Sequence, residues 1–151
     1  MKIVSWNCRG MGRKINEEAI RYLIRIEALD IFLIQETKME DSNFLQTSKK
    51  LWNKSKAIVV SAQVASGGLG TLWNDSKFSL VFETSNTHWL MLKMKHLITK
   101  ESFCLFNVYV PINAGEKKAC RDSIRSQADL SNLDNIITAG DLNLTLHSSE
   151  K

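Results

Sequence analysis

Ile136-Ile137-Thr138-Ala139-Gly140-Asp141-Leu142-Asn143 is the stretch around which the chain is organised. A short apolar run ends in glycine and is followed by a carboxylate and, two residues on, by a carboxamide. Bounded by Asn135 and Gly140, the run is too short for a helix and is expected to form a buried strand. Gly140 lets the backbone turn, or approach another group closely, where a Cβ would obstruct it. If the chain stays extended beyond it, Asp141 and Asn143 point to the same side. A carboxylate beside a core strand is costly unless something polar or cationic meets it. Taken alone, the octamer reads more simply as a Gly-Asp-x-Asn turn.

Three other strand candidates outweigh that simpler reading, because they end in the same way. Val4-Ser5-Trp6 runs into Asn7, Phe32-Leu33-Ile34-Gln35 into Glu36, and Phe106-Asn107-Val108 into Tyr109. In α/β folds, functional side chains gather where buried strands reach the surface at their carboxyl ends. Two carboxylates and two amides meeting there form an oxygen-rich, anionic pocket, which suits Mg²⁺ or Mn²⁺ better than zinc. Such an ion neutralises a phosphate oxygen while its ester is cleaved. Each residue also has a plain reading. Asn7 alone is a loop former, Glu36 a turn cap, and Tyr109 a core aromatic with a satisfied hydroxyl. His88, His96 and His147 are isolated and read as surface or strand residues. Gly67-Gly68 reads as a loop turn before it reads as a phosphate cradle. The four tryptophans lack a stacking spacing and read as core.

Outward from these ends the chain alternates helix and strand at both termini, with a strand-rich middle. Strands are expected over 2–6, 31–34, 57–62, 78–84, 88–95 and 103–110, and after the Gly67-Gly68 turn at Thr71-Leu72-Trp73. In the fifth of these, Leu90, Leu92 and Met94 share a face while Lys93 and Lys95 point away. The nearly unbroken apolar run 103–110 suits a central strand, stopped by Pro111, the only proline. One helix is expected from an Asn16 N-cap to about Leu29, with Ile20, Leu23, Ile24 and Ala28 inward. A second is expected over 42–52. A third is expected over 116–133, with Ala119, Ile124, Ala128 and Leu130 inward. Layered helices over a mixed sheet or a pair of sheets follow from this order.

Composition fits one folded domain, residues 1–151, with 44% hydrophobic and 24% charged residues. The net charge of +4 favours a polyanionic partner without naming one. Three cysteines without CxxC spacing argue against a zinc site or a disulfide framework and for a reducing, intracellular setting. No signal peptide or membrane-length apolar run is present, so no membrane partner is expected.

Ser5-Trp6-Asn7-Cys8-Arg9-Gly10, Leu33-Ile34-Gln35-Glu36-Thr37-Lys38, Asn107-Val108-Tyr109-Val110-Pro111 and Gly140-Asp141-Leu142-Asn143 resemble, in order and spacing, the motifs of the endonuclease/exonuclease/phosphatase superfamily. The first block, the Gly67-Gly68 turn before Leu72-Trp73 and the ending Ser148-Ser149-Glu150-Lys151 are most similar to the endonuclease domain of plant LINE-type retrotransposons. The resemblance implies a four-layer α/β sandwich, here incomplete at the C-terminus, and divalent-metal-dependent phosphoester hydrolysis, usually with Mg²⁺. It implies Glu36 as principal metal ligand, with Asn7 organising that site, and Tyr109 on the scissile phosphate. Asp141 would orient or deprotonate the attacking water, and Asn143 would stabilise the phosphate in the transition state. It further implies DNA, bound through its phosphate backbone, as partner to a nuclear, monomeric protein. The family's catalytic histidine follows an aspartate. His88, His96 and His147 instead follow Thr87, Lys95 and Leu146, so a weakly active or inactive fragment is expected. The alternatives are a non-catalytic remnant that binds metal or nucleic acid, and a phosphatase acting on a small phosphoester.

Overall fold

The computed structural model describes residues 1–62, 67–132 and 134–144. Ser66, Leu133, His147 and the 148–151 ending lie outside the described residues. In chain order the elements are β1 (Ile3–Asn7), α1 (Lys14–Glu27), β2 (Ile31–Gln35), α2 (Asp41–Leu51), β3 (Ser55–Val60), β4 (Leu69–Asn74), β5 (Phe78–Ser85), β6 (Trp89–His96), β7 (Ser102–Tyr109), α3 (Ala114–Ser131) and β8 (Ile136–Asp141). No helix among the described residues is long and apolar enough to cross a membrane.

The strands make two mixed four-stranded sheets, ordered β1-β2-β4-β3 and β5-β6-β7-β8. Each contains one parallel pair, β1 with β2 and β7 with β8, and is otherwise antiparallel. Period-two alternation sorts their side chains into layers. Ile31 and Leu33 of β2, Leu90, Leu92 and Met94 of β6, and Phe103 and Leu105 of β7 meet between the sheets. Phe32 and Ile34 turn the other way, against Ile20 of α1 and Phe44 of α2. Met91, Cys104, Phe106 and Val108 cover Cys120, Ile124 and Ala128 of α3. Helices, sheet, sheet and helix therefore form four layers, the sandwich that the resemblance implies.

Several local expectations need correction. Asn16 is not the N-cap of α1; Arg13 holds that position without a side-chain capping bond. The Asn16 carboxamide instead donates to the Cys8 and Gly10 carbonyls at 2.8 and 2.6 Å, tying down the loop after β1. Satisfying two loop carbonyls is worth more than one cap, because unpaired half-buried carbonyls are costly. In α3, Cys120 takes the inward place expected of Ala119, and Leu130 is 73% exposed. The buried face runs through Cys120, Ile124 and Ala128 at four-residue steps, and Leu130 lies off that stripe. The helix also begins earlier, capped by Asn113, whose Oδ1 accepts from the Gly115 and Glu116 amides. Finally, β3 ends at Val60 and not at Ala62.

Away from the strand ends that carry the polar motifs, Asp30 locks the β1, β2 and β4 termini together. The Lys2 amide donates to Oδ2 at 2.7 Å and Lys77 Nζ to Oδ1 at 2.5 Å, while the Asn74 amide donates to the Asp30 carbonyl at 2.9 Å. Burial alone would raise the carboxyl's pKa, but Lys77 and Lys2 outweigh it and hold it below the usual range. A folded-state pKa below the unfolded one stabilises the protein above the unfolded value and ceases to do so as pH falls through the lowered one. Asp30→Ala should therefore cost about 1.5–3 kcal/mol in urea unfolding at pH 7. The gap from wild type should shrink once pH drops below the carboxylate range. A gap that stays constant with pH would show that packing, not charge, was lost.

Candidate active site

The alternation that builds the inter-sheet core also builds the site. Ile3-x-Ser5-x-Asn7, Ile31-x-Leu33-x-Gln35, Leu105-x-Asn107-x-Tyr109 and Ile137-x-Ala139-x-Asp141 are inward-facing series that turn from apolar to polar at one end of the sandwich. Parallel pairing sets the ends level, Asn7 opposite Gln35 and Tyr109 opposite Asp141. The polar cluster is the continuation of the core to the surface.

At its centre is Asn7. Its Nδ2 donates to Glu36 Oε1 at 3.0 Å and to Asp141 Oδ2 at 2.8 Å, so one amide nitrogen holds two carboxylates from different sheets. The Tyr109 hydroxyl donates to the same Glu36 Oε1 at 2.9 Å. Lys38 Nζ lies 3.8 Å from Glu36 Oε2. The Asn7 hydrogen bond leads the influences that hold the Glu36 carboxyl below the usual range, against its partial burial and with help from Tyr109, Lys38 and Arg9. Burial, then the Glu36 hydrogen bond, pushes the Tyr109 phenol up, so it remains a protonated donor. Asn143 is itself left-handed (φ 45°); its amide donates to Asp141 Oδ1 at 3.0 Å and its Nδ2 to the Val110 carbonyl at 2.5 Å. Lys117 Nζ donates to the Asn143 carbonyl at 2.7 Å, which ties this turn to α3. The structure thus brings Asn7, Glu36, Tyr109 and Asp141 into direct contact, with Asn143 beside Asp141 and its side chain turned to the backbone.

Glu36 is held where it is by its neighbours' backbones. Glu36 and Lys38 both have positive φ, 51° and 52°, which costs an ordinary residue on the order of 1–2 kcal/mol. Four backbone hydrogen bonds offset this. The Gly10 and Met11 amides donate to the Glu36 and Thr37 carbonyls, and the Thr37 and Lys38 amides to the Gly68 and Gly67 carbonyls, at 2.8–3.2 Å. Gly67-Gly68 therefore offers carbonyls to the Glu36 loop, as a turn that splints it. A Cβ on Gly68 would lie 2.3 Å from Thr37 Oγ1, so only glycine allows so close an approach.

A buried link that the sequence did not single out lies beneath the cluster. Gln35 Nε2 donates to Asn107 Oδ1 at 2.7 Å, and Asn107 Nδ2 donates to the Gly70 carbonyl at 2.8 Å. Polar residues inside apolar strands were the available signal. All three cysteines are buried, and burial raises the pKa of Cys8 and of Cys120.

A hard divalent cation fits this donor set. Two carboxylates supply the oxygen ligands, while Asn7 turns its Nδ2 to them and its Oδ1 to the Arg9 amide; among the described residues no three His, Cys, Asp or Glu side chains enclose an ion. An open site with one or two carboxylates, completed by water and phosphate, is the pattern of Mg²⁺ rather than of structural zinc.

The Endonuclease/Exonuclease/phosphatase family profile matches residues 4–151. The chain belongs to that family. No curated protein matches it in sequence comparison. Among solved structures it is similar to a mannosyl-6-phosphatase of Bacteroides thetaiotaomicron, with 17% identity and a TM-score of 0.78 over 97% of this chain and 67% of that one. It is also similar to D. rerio TDP2 humanised by 14 mutations, with 16% identity and a TM-score of 0.73 over 95% of this chain and 66% of that one. A third is the 3′ phosphatase NExo from Neisseria bound to a product DNA hairpin, with 13% identity and a TM-score of 0.70 over 99% of this chain and 60% of that one. At these identities the likeness is one of fold. This family member spans between 60% and 67% of the length of those three proteins.

Proposed function

We propose that the chain carries a divalent-metal-dependent phosphoesterase site, of the DNA-nicking type found in LINE retroelements. The observation that carries the reading is the single Asn7 amide held between Glu36 and Asp141, with the Tyr109 hydroxyl on the same Glu36 oxygen. Glu36, ionised and splinted, is the ligand for Mg²⁺ or Mn²⁺, and Asn7 keeps it aligned with Asp141. When bound, the cation would neutralise a phosphate oxygen and the charge that develops on it. Asp141, aimed by Asn7 on one oxygen and by the Asn143 amide on the other, orients the attacking water and accepts its proton. Tyr109 has a single O–H, held by Glu36 here, and would turn it to the scissile phosphate when substrate binds. A carboxamide has two N–H donors, so Asn143 has one left for the phosphate after bonding Val110.

DNA is the partner this reading favours; TDP2 and a DNA-bound 3′ phosphatase share the fold, and so does a sugar phosphatase. By the LINE reading the protein works in the nucleus. No Asp-His pair occurs in residues 1–151. Loss of one such phosphate-stabilising donor costs about 10²–10³ in rate, so residues 1–151 assayed by themselves are expected to nick weakly. Purified protein should nick supercoiled plasmid slowly in Mg²⁺, not at all in EDTA, and measurably faster than Glu36→Gln. Equal nicking by Glu36→Gln would place the chemistry elsewhere. Hydrolysis of a sugar phosphate but no plasmid nicking would favour the phosphatase reading.

A further inference from the structure

Two recesses open on either side of the Glu36 loop and share Lys38 as their common wall. The larger, about 640 Å³, is lined by Arg9, Arg13 and Lys38, with Glu40 as the opposing charge. Helices α1 and α2 both begin at this wall, at Arg13 and Glu40, and neither N-cap side chain caps its helix. Asn43, in the first turn of α2, lines it too. Three cationic side chains against the single carboxylate of Glu40 give this recess a net positive lining that favours an anion.

The smaller recess, about 330 Å³, runs from Glu36, Lys38 and Tyr109 to Thr87 and His88. His88 is held firmly there. Its carbonyl accepts from the Tyr109 amide at 2.8 Å, and its amide donates to Asn86 Oδ1 at 2.8 Å. Asn86 Oδ1 also accepts from the Trp89 amide at 3.0 Å, and the Trp89 indole is anchored to Ser123 Oγ at 2.6 Å. An imidazole on so braced a loop, one hydrogen bond from the Tyr109 backbone, is placed to reach a phosphate next to the one that Tyr109 touches.

We propose that Arg9 with Arg13, and His88 on the opposite side, are the residues that select a nucleic-acid strand, by holding the phosphates that flank the scissile one. This rests on the phosphoesterase reading above. A small phosphoester has a single phosphate and would leave both recesses unused. A strand lying across Glu36 and Tyr109 fills them with its neighbouring phosphates, whatever its bases.

The test is binding of a fluorescein-labelled 12-nucleotide single strand, followed by anisotropy in EDTA over a salt series, so that hydrolysis is not needed. Arg9→Gln/Arg13→Gln and, separately, His88→Gln should each weaken binding by about three- to tenfold, and in the arginine variant each lost cation–phosphate contact should flatten the log–log salt slope by about 0.7. His88→Arg should restore the affinity lost in His88→Gln. Lys49→Gln/Lys50→Gln, an equal loss of charge on exposed α2 positions away from both recesses, should leave affinity within about twofold. In Mg²⁺, both recess variants should lose more on the strand than on bis(p-nitrophenyl) phosphate. Wild-type affinity in either recess variant, or a wild-type slope in the arginine variant, would overturn the proposal. So would an equal loss in the Lys49/Lys50 control, or equal losses on strand and small diester. Failure of every ester to be hydrolysed would count against the phosphoesterase reading, while the binding series would still decide the recesses.

Discussion

Gly140→Ala is expected to unfold or severely destabilise the protein, by about 3 kcal/mol or more. Gly140 sits in β8 opposite Val108 of β7 in a parallel pair. An added Cβ would lie 2.0 Å from the Val108 carbonyl oxygen, 2.7 Å from its nitrogen and 2.8 Å from its carbonyl carbon. No rotamer change relieves this, because every clashing atom is backbone. The φ of 147° is, besides, one that residues with a side chain rarely adopt. Relief requires β8 to peel from β7, which costs ladder hydrogen bonds and the Val110 amide bond to the Asp141 carbonyl at 2.9 Å. Asp141 would leave the cluster with it. Gly67→Ala is the matched control, since nothing lies within 4 Å of its added Cβ and only backbone strain at φ 77° remains. Urea unfolding should separate the two variants clearly. Equal, small losses would mean that β8 does not pack on β7 as described.

Loss of cation-induced stabilisation in Glu36→Gln is the second large effect expected. Glu36 and Asp141 are partly buried carboxylates that share one hydrogen-bond donor, so their mutual repulsion is relieved only in part. A divalent cation bound to the native state alone should raise the unfolding free energy, by about 2.7 kcal/mol at a hundredfold excess over Kd. Gln keeps the shape of Glu36 and its Asn7 and Tyr109 neighbours but removes the charge. Because the fold favours the ionised Glu36, the variant should unfold somewhat below the wild-type midpoint in EDTA, and it should gain little from about 10-fold changes in Mg²⁺, whereas wild type should rise steadily. A full shift in Glu36→Gln would show that the cation binds elsewhere.

Where the sequence was informative, the reason was alternation. In β7, Phe103 and Leu105 share one face with Asn107 and Tyr109, so an apolar period-two pattern that becomes polar announces both a core strand and the edge of a site. The same logic places Asn7 and Asp141 at strand ends that meet in one pocket, whereas Glu36, one residue past the inward Gln35, is turned into it by its left-handed backbone, φ 51°. Asn16 escapes it because its neighbours in sequence resemble a helix start, while its partners, the Cys8 and Gly10 carbonyls, are brought to it by the loop's shape. Arg13 and His88 look like ordinary surface residues in the sequence. Their placement depends on which loops the two sheets bring together, and one-dimensional spacing carries no such information. Leu130 departs from expectation for a simpler reason: two residues' advance from Ala128 is enough to turn it off the buried stripe.

Diffraction from crystals soaked in Mn²⁺, recorded at the manganese absorption edge, tests the central claim most directly. The claim is that Asn7, Glu36, Tyr109 and Asp141 form a divalent-cation site for phosphoester chemistry. It predicts an anomalous peak against the Glu36 carboxylate, at about 2.1 Å from an oxygen, on the side facing Asp141, and no such peak in Glu36→Gln crystals. A peak at another site with the Glu36 carboxylate bare would contradict it.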